Sequence, residues 1–346
     1  MSAGVQPYRA LAMQLRCHAV NGCPDRAASQ RHIDTALERV FAATRAAASF
    51  LGSDLRLVVL PEYVLTSFPA GESAATWIEK ACIRIPGPEI DRVAAFSAAT
   101  GIWIAGNSYE ADPEWPGMYF QASWIVGPAG LALKYRRLNS LYALSPHDLW
   151  TRYRERYSLR ELFPVADTPL GRLAAIASEE ILYPEVARCL LMHGAEIFVH
   201  STSDVAGHAG MPKQVAKVAR AVENAAYVIS ANTAGIAGTA MPEHSADGHS
   251  KIIDDRGLVL AEAEQGETVT AHAEIDVAAL RRRRCHPGMQ NVVARQRFEL
   301  YAPMYAAHSF CPPDQFPEGI RDREQLVEAH RRTIDRLVER GLIARD

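Results

Sequence analysis

The sequence of 346 residues lacks the features that mark several common classes of protein. No stretch approaches the roughly 20 uninterrupted apolar residues that a membrane-spanning helix needs, and the alanine-rich segment 40–50 is broken by Arg45. The N-terminal residues MSAGVQPYRA lack the charged start and apolar run of a secretory signal. We therefore expect a cytoplasmic protein without a membrane partner.

Positive charge is also scarce. Lys and Arg total 37 against 40 Asp and Glu, which leaves a net charge of −3, and lysines number only five. Proteins that bind polyanions carry a basic surface, so a nucleic-acid partner is not expected. The run Arg281–Arg284 follows the last predicted strand, and we expect it to face solvent or an interface.

The cysteines form no recognisable framework. Six of them, at positions 17, 23, 82, 189, 285 and 311, are scattered without a C-x-x-C pair. This pattern is typical of reduced thiols rather than of disulfides or a zinc site. No cysteine-bound metal is expected.

The composition is that of an ordinary globular protein, with 48% hydrophobic and 22% charged residues. Short apolar runs rich in β-branched residues alternate with segments of helical period, and this alternation predicts a layered α/β fold. Runs such as LRLVVL are apolar on both faces, so they should be covered on both sides. Predicted strands cover residues 10–15, 55–60, 101–107, 120–127, 131–135, 172–177, 196–200 and 226–232, with three more in the last third, and predicted helices cover 29–50, 88–100, 184–193 and 211–224.

Two segments depart from this alternation. Residues 138–165 separate two strands, and they are too many for a plain turn, so they are a candidate lid or pocket insert. The strand pattern stops near residue 286. Residues 323–342 then place Leu326, His330, Ile334 and Leu337 at helical spacing, which predicts an amphipathic helix that docks on its own chain or on a partner subunit.

Polar side chains follow three of the predicted strands. Glu62 comes just after LRLVVL, Lys134 lies near the end of LALKY, and Ser178 comes directly after RLAAIA. Ligands of α/β sheets bind beyond the carboxyl ends of strands, so these side chains are expected to converge. Each alone has a plainer interpretation: a solvated glutamate, a surface lysine and a serine that caps a helix.

Taken in order, these segments resemble the carbon–nitrogen hydrolase (nitrilase) superfamily from residue 8 to about residue 285. The resemblance is carried by PEY around Glu62, KYRR around Lys134, the S-E-E-x-x-x-P-E-x-x-R stretch from Ser178, GAEIFVHSTS (194–203), RAVENAAYVISANTAG (220–235) and GHSKIIDDRGLVLAEA (248–263).

The resemblance implies a four-layer α-β-β-α sandwich over residues 1–285, with 286–346 as a C-terminal extension. It also implies that a Glu, a Lys and a Cys attack an amide, carbamoyl or nitrile carbon without a metal or cofactor. Glu62 would be the general base, and Lys134 would stabilise the oxyanion together with the backbone N–H of Glu179. Glu180 would fix the turn that carries the nucleophile.

The sequence departs from this family at the nucleophile, because position 178 is Ser rather than Cys. A thiol ionises near neutral pH, whereas a hydroxyl depends wholly on its base. Cys189 lies inside the following predicted helix and cannot replace it. Three explanations stay open: an engineered change that traps substrate, a catalytically inactive binding protein, or a native serine nucleophile.

A second departure concerns the additional glutamate that many family members carry after the lysine. No Glu lies between Tyr135 and Arg154, so His147, Asp148 and Glu155 are the candidates for its place.

The resemblance also indicates pocket residues. Tyr63, His147, Asp148 and the segment His200–Ser203, which includes Ser201, are expected to line the substrate pocket. Trp150, Tyr153 and Tyr157 either wall that pocket or form a small core of the insert.

The sequence thus predicts a hydrolase of a small linear amide or N-carbamoyl compound, acting through an acyl-enzyme. The alternative is a catalytically inactive ligand-binding or scaffold protein of the same fold. The resemblance further implies a homodimer or higher oligomer, and the helix of the 286–346 extension is expected to belong to its interface.

Overall fold

A computed structural model describes residues 5–345. Its strands are β1 (Tyr8–Ala12), β2 (Cys17–His18), β3 (Leu55–Val59), β4 (Trp103–Glu110), β5 (Phe120–Gly127), β6 (Gly130–Arg136), β7 (Ala166–Thr168), β8 (Gly171–Ala177), β9 (Ile197–Ser201), β10 (Tyr227–Ala231), β11 (Ile236–Ala237), β12 (Lys251–Ile253), β13 (Val259–Glu262) and β14 (His272–Ile275). Its α-helices are α1 (Arg26–Leu51), α2 (Ala74–Ala81), α3 (Pro88–Thr100), α4 (Trp150–Arg154), α5 (Leu159–Leu162), α6 (Pro184–Met192), α7 (Met211–Asn224), α8 (Val277–Cys285), α9 (Ala302–Ala307) and α10 (Glu324–Glu339).

The main strands form two six-stranded sheets. The first has the order β14-β1-β3-β4-β5-β6, and the second has the order β13-β12-β10-β9-β8-β7. Within the first sheet β1, β3 and β4 are parallel, and within the second β8, β9 and β10 are parallel. The carboxyl ends of these strands therefore lie along one edge of each sheet, which is where polar residues can gather.

The two sheets face each other across an apolar core. One continuous cluster includes Leu57 and Val59 of the first sheet together with Ala175 and Val199 of the second. Helices α1 and α3 cover the outer face of the first sheet, and α6 and α7 cover that of the second. This four-layer α-β-β-α sandwich confirms the predicted fold class. Among residues 5–345, no helix combines the length and apolarity needed to cross a membrane.

The run Arg281–Arg284 belongs to α8, where Arg282 is exposed and the other three arginines are half-buried, so the expected contact with solvent is kept in part while some of the side chains also bond to the fold. Asp276 caps the helix by accepting the N–H of Ala279 at 2.7 Å. Arg281 then pairs with Glu196 at 2.7 Å, and Arg284 donates to the carbonyl oxygen of Ala225 at 2.9 Å. These arginines tie α8 to the second sheet.

The C-terminal segment packs on its own chain. Helix α10 buries Leu326, Ala329 and Thr333, whereas His330 and Ile334 of the predicted stripe are exposed. Part of the apolar face of α10 is therefore covered by the chain itself, while Ile334 stays exposed.

The segment before α10 is bonded to the 138–165 insert. The backbone N–H of Asp314 donates to the carbonyl oxygen of His147 at 3.0 Å, and that of Phe316 donates to Asp148 at 3.1 Å. The side chain of Asp314 accepts the hydroxyl of Thr151 at 2.7 Å. The insert and the extension are thus joined by hydrogen bonds and pack together on the surface of the molecule.

We predict that Gly106→Ala destabilises the first sheet. Gly106 of β4 is paired with Trp124 of β5, and a Cβ at Gly106 would lie 2.5 Å from Cζ2 of that buried indole. Overpacking of this kind costs about 1–3 kcal/mol. The free energy of unfolding in urea should fall by that amount, whereas Gly22→Ala, where no atom lies within 4 Å of the added Cβ, should change it by less than about 0.5 kcal/mol. Equal effects of the two substitutions would contradict the packing described here.

Candidate active site

Ser178 lies on a strained turn at the carboxyl end of β8. It begins the 3-10 helix Ser178–Leu182, is 4% exposed, and has a φ of 46°. A non-glycine residue in this region costs about 1–3 kcal/mol, so the surrounding structure must hold it there. The turn presents the hydroxyl of Ser178 beyond the end of the second sheet.

Glu180 is the main support of this turn. Its carboxylate accepts the backbone N–H groups of Leu138 at 2.7 Å and Asn139 at 2.9 Å, and the hydroxyl of Tyr135 at 2.8 Å. Glu180 is fully buried, and that burial raises its pKa above the ordinary value although these donors oppose the shift. The turn at Ser178 is thereby tied to the end of β6 in the other sheet.

Glu62 lies in the loop after β3, and it is 2% exposed. Its backbone N–H donates to the carbonyl oxygen of Thr202 at 3.3 Å, which places it over the end of β9. Its Oε1 accepts Nε2 of Gln121 at 2.5 Å, and its Oε2 accepts the hydroxyl of Ser203 at 2.6 Å. Ser178 follows β8, which pairs with β9. The loop that carries Glu62 therefore lies over the end of the strand next to the one that Ser178 follows.

Tyr63 and Ser203 extend this arrangement. The hydroxyl of Tyr63 donates to Oγ of Ser203 at 2.5 Å, so Tyr63, Ser203 and Glu62 form a chain of hydrogen bonds. Ser201 is buried at the end of β9, paired with Ala177 in the register. Ser203, rather than Ser201, contacts the carboxylate of Glu62.

The basic group beside Glu62 is the guanidinium of Arg137. Its Nη1 lies 3.4 Å from Oε1 of Glu62, and its Nη2 pairs with the carboxylate of Glu179. Arg137 is 6% exposed. Burial opposes its charge, but the two carboxylates outweigh burial and raise the pKa of Arg137 above the ordinary value. Arg137 therefore connects the Glu62 loop to the turn at Ser178.

The prediction that Lys134 lies beside Glu62 is wrong. Its Nζ donates to Oε1 of Glu110 at 2.7 Å and to the carbonyl oxygen of Ile85 at 2.9 Å, on the outer face of the first sheet. Side chains alternate along a strand, so Lys134 points away from the inter-sheet core that contains Tyr135. The same alternation places Arg137, two residues after Tyr135, on the side of the sheet that faces Glu62. This alternation was present in the sequence, and the sequence analysis did not use it.

A lysine does reach Ser178, but from helix α7. Nζ of Lys213 donates to Oγ of Ser178 at 3.2 Å and lies 3.1 Å from Oδ1 of Asp204. Lys217, one turn later, is fully buried with its Nζ 2.6 Å from Oδ2 of Asp204. Burial acts to raise the pKa of Asp204, but the ammonium groups of Lys217 and Lys213 outweigh it and hold that pKa below the ordinary range. The only sequence signal was the spacing of two lysines by four residues on one helical face.

His200 supports the same turn through the backbone of Ser178. Its Nε2 donates to the carbonyl oxygen of Ser178 at 2.8 Å, so its Nδ1 accepts the hydroxyl of Ser230 at 2.9 Å. The side chain is fully buried, and burial, followed by the charge of Lys217, lowers the pKa of His200 to about 3. His200 is therefore neutral at ordinary pH and positions Ser178 through its backbone.

The residues considered for the second family glutamate lie elsewhere. Asp148 accepts the backbone N–H of Ser145 at 2.9 Å and its hydroxyl at 3.0 Å, and burial raises the pKa of Asp148 above the ordinary value. His147 packs against Trp150, and Glu155 is exposed after α4. Within residues 5–345, none of these three candidates bonds to Glu62, Arg137 or Ser178. Glu179 is the second carboxylate on the guanidinium.

Within the described part of the chain, no three His, Cys, Asp or Glu side chains are grouped so that they could hold a metal ion. The chemistry of the arrangement rests on the buried hydroxyl of Ser178, the cations of Arg137 and Lys213, and the carboxylates of Glu62 and Glu179. A hydroxyl at a strand end with an ammonium beside it and a carboxylate at the next strand end has the elements of acyl transfer.

Residues 19–284 match the carbon–nitrogen hydrolase family, and the chain belongs to that family. Among curated relatives, a nitrilase of Pyrococcus abyssi is 27% identical over 255 residues, which covers 71% of this chain and 86% of that protein. The omega-amidase NIT2-A of Xenopus laevis is 26% identical, covering 65% of this chain and 78% of that protein.

Solved structures have the same fold. A carbon–nitrogen hydrolase of Helicobacter pylori superposes with a TM-score of 0.64 at 18% identity, covering 87% of this chain and 98% of that chain. Nit3 of Saccharomyces cerevisiae, a nitrilase-superfamily member, superposes with a TM-score of 0.62 at 22% identity, covering 82% of this chain and 96% of that chain.

We predict that His200→Gln flattens the acid side of the stability profile. Because the pKa of His200 is lowered from 6.5 to about 3, the unfolded chain binds a proton before the folded chain does as the pH falls. The contribution is thus fully present above pH 6.5 and is lost between about 6.5 and 3, at about 1.4 kcal/mol per pH unit.

Urea unfolding at a series of pH values measures this slope. The His200→Gln variant should lose less free energy of unfolding between pH 6.5 and 4 than the wild type does. The exposed His286→Gln variant serves as the control and should keep the wild-type slope. If His200→Gln keeps that slope as well, His200 is not held neutral in the folded protein.

Proposed function

We propose that the protein hydrolyses the carbon–nitrogen bond of a small amide through an ester formed on Ser178. The observation that carries this proposal is the position of the Ser178 hydroxyl, on a strained strand-end turn 3.2 Å from an ammonium. Glu62 at the neighbouring strand end supplies the base. Membership of the carbon–nitrogen hydrolase family supports this reaction class.

In the first half of the reaction, Oγ of Ser178 attacks the amide carbon, and its proton passes to Glu62. The carbonyl oxygen becomes an oxyanion, which the ammonium of Lys213 and the backbone N–H of Glu179 stabilise. The carbon–nitrogen bond then breaks, and the leaving amine takes the proton from Glu62. The acyl group remains on Ser178 as an ester.

In the second half, a water molecule attacks this ester and gives a proton to Glu62. Ser178 leaves as the alcohol by recovering that proton, and the carboxylic acid is released. Arg137 acts as a positioning residue, because its contacts hold the carboxylates of Glu62 and Glu179 in fixed places.

Lys213 addresses the weakness of serine as a nucleophile. A hydroxyl ionises far less readily than a thiol, so it gains more from a fixed positive charge beside its oxygen. Asp204 holds Lys213 in place, and Lys217 anchors Asp204 from the interior. In this proposal Lys213 has the role that the family resemblance assigned to Lys134.

An amide substrate is supported by the names of several relatives. They include an omega-amidase, a deaminated glutathione amidase of Yersinia enterocolitica and a formamidase of Bacillus cereus. An N-carbamoyl compound presents the same carbonyl and leaving nitrogen, and it is the second substrate class to test.

The setting of this activity is part of the proposal. We place it in the cytoplasm, where the free thiols of the described chain would stay reduced. We also propose a homo-oligomer, now with α7 rather than α10 in the interface, because α7 exposes Met211, Val215 and Val222. Residues 1–285 form the hydrolase unit and 286–346 the extension.

One observation favours a second candidate, a binding protein without turnover. Both carboxylate oxygens of Glu62 already accept hydrogen bonds, from Gln121 and Ser203, in addition to the contact with Arg137. Oε1 of Glu62 therefore has both acceptor positions taken, and one acceptor position on Oε2 is left for the proton of Ser178. If the hydroxyl of Ser178 does not reach that position, the site binds an amide and leaves it intact.

The experiment measures ammonia released from a panel of small amides and N-carbamoyl amino acids, with intact-protein mass spectrometry to detect an acyl adduct. We expect slow turnover by the wild type and an adduct on Ser178. Ser178→Ala should abolish both, Ser178→Cys should raise the rate, and Lys213→Met should lower it by about 10²-fold, as loss of an oxyanion donor does.

Ser53→Cys, at an exposed position before β3, is the control and should behave as the wild type. Turnover that survives Ser178→Ala would overturn the assignment of the nucleophile. Calorimetric binding of an amide without any turnover, by the wild type and by Ser178→Cys, would establish the second candidate instead.

A further inference from the structure

A cavity of about 610 Å³ lies between the 138–165 insert and the C-terminal extension. Its walls include Trp150, Leu162 and Phe163 from the insert, and Phe316 and Leu326 from the extension. This volume is in the range of pockets that bury small organic ligands. The extension lies beyond residue 284, where the family match ends, so one wall of the cavity belongs to this chain rather than to the common fold.

The cavity lies beside the turn that carries Ser178. Glu179, the neighbour of Ser178, lines it, and so does Tyr183 at the end of the same short helix. Leu138 and Asn139 line it as well, and their backbone N–H groups are the ones that Glu180 holds. Ser178 itself is not among the lining residues, so a molecule whose carbonyl carbon lies at Ser178 would reach this space past Glu179.

The charges of the lining indicate what part of a molecule fits. The lining within residues 5–345 includes the acidic Glu179 and Asp148 but no Lys or Arg. Asp148 is committed to capping the helix after Ser145, and Glu179 is paired with Arg137. A carboxylate placed here would meet acidic groups and no fixed cation, whereas an uncharged aromatic or branched group would meet apolar walls.

We propose that this cavity binds an uncharged, apolar substituent of the substrate, so that the preferred substrate is a neutral amide with an aromatic or branched chain. The catalytic part of this statement rests on the proposed function, but binding does not. The insert and the extension act together as the specificity element, because Asp314 and Phe316 of the extension form hydrogen bonds with the insert.

Calorimetry with the Ser178→Ala variant tests binding without turnover. The three probes are 3-phenylpropanamide, propanamide and succinamate, which share the amide and differ in the distal group. We expect 3-phenylpropanamide to bind about tenfold or more tightly than either of the others, because only its phenyl group fills the apolar space.

Two substitutions in this background narrow the cavity from opposite walls. His330→Trp on α10 and Leu159→Trp on α5 both lie at exposed lining positions, so they should be tolerated by the fold. Each should reduce the preference for 3-phenylpropanamide over propanamide to less than about threefold. Ile334→Trp, an exposed position of α10 outside the lining, is the matched control and should keep the full preference.

Equal affinities for 3-phenylpropanamide and propanamide would overturn the proposal, and so would tight binding of succinamate. A loss of preference in Ile334→Trp as large as that in His330→Trp would also overturn it, since the effect would then come from the helix and not the cavity. Selective binding of 3-phenylpropanamide together with no hydrolysis by the wild type would support the cavity and would refute only the proposed catalysis.

Discussion

The buried guanidinium of Arg137 is the interaction on which the candidate site depends. It pairs with Glu62, which follows a strand of the first sheet, and with Glu179, which follows a strand of the second. Taking these charges out of water is costly, and it is offset only if each finds its partners. The planar guanidinium, with several donors in fixed directions, meets this requirement where a flexible ammonium would not. Arg137 therefore links the two sheets at this edge of the sandwich by contacting Glu62 and Glu179.

A second cluster of charges lies beside Ser178. Asp204 joins Lys213 and Lys217, and Lys213 reaches the hydroxyl of Ser178. Ser178 thus lies next in the chain to Glu179, the partner of Arg137, and its hydroxyl touches the ammonium of Lys213. In the proposed reaction, a serine at position 178 and a lysine beside it are understandable together, since an alcohol benefits more than a thiol from a neighbouring positive charge.

Much of the fold was predictable from the sequence, because each core strand is a short apolar run and each covering helix is amphipathic. The segments 88–100 and 211–224 form helices with the predicted bounds, and 120–127 forms the predicted strand. Glu62 and Ser178 were predictable for a related reason, since each directly follows a buried run. The prediction that Lys134 lies beside Glu62 was wrong because a strand places alternate side chains on opposite faces. The position of Lys134 near the strand end did not show which face of the sheet its side chain is on.

Other parts of the site carried no usable local signal. Lys213 lies on a helix, and its contact with Ser178 depends on how α7 packs against the turn after β8. The cavity depends on contacts between residues more than 160 positions apart in the chain, such as Asp148 and Phe316. The periodicity of neither segment indicates that it packs against the other. Such features come from tertiary packing, which composition and spacing do not encode in a readable form.

The central claim is that Arg137, and not Lys134, is the basic partner of Glu62. A double-mutant cycle on the free energy of unfolding measures this directly, with Glu62→Gln combined either with Arg137→Met or with Lys134→Met. The structure predicts a coupling energy of about 1–3 kcal/mol for Glu62 with Arg137, and less than about 0.5 kcal/mol for Glu62 with Lys134. The opposite order of these two coupling energies would contradict the account.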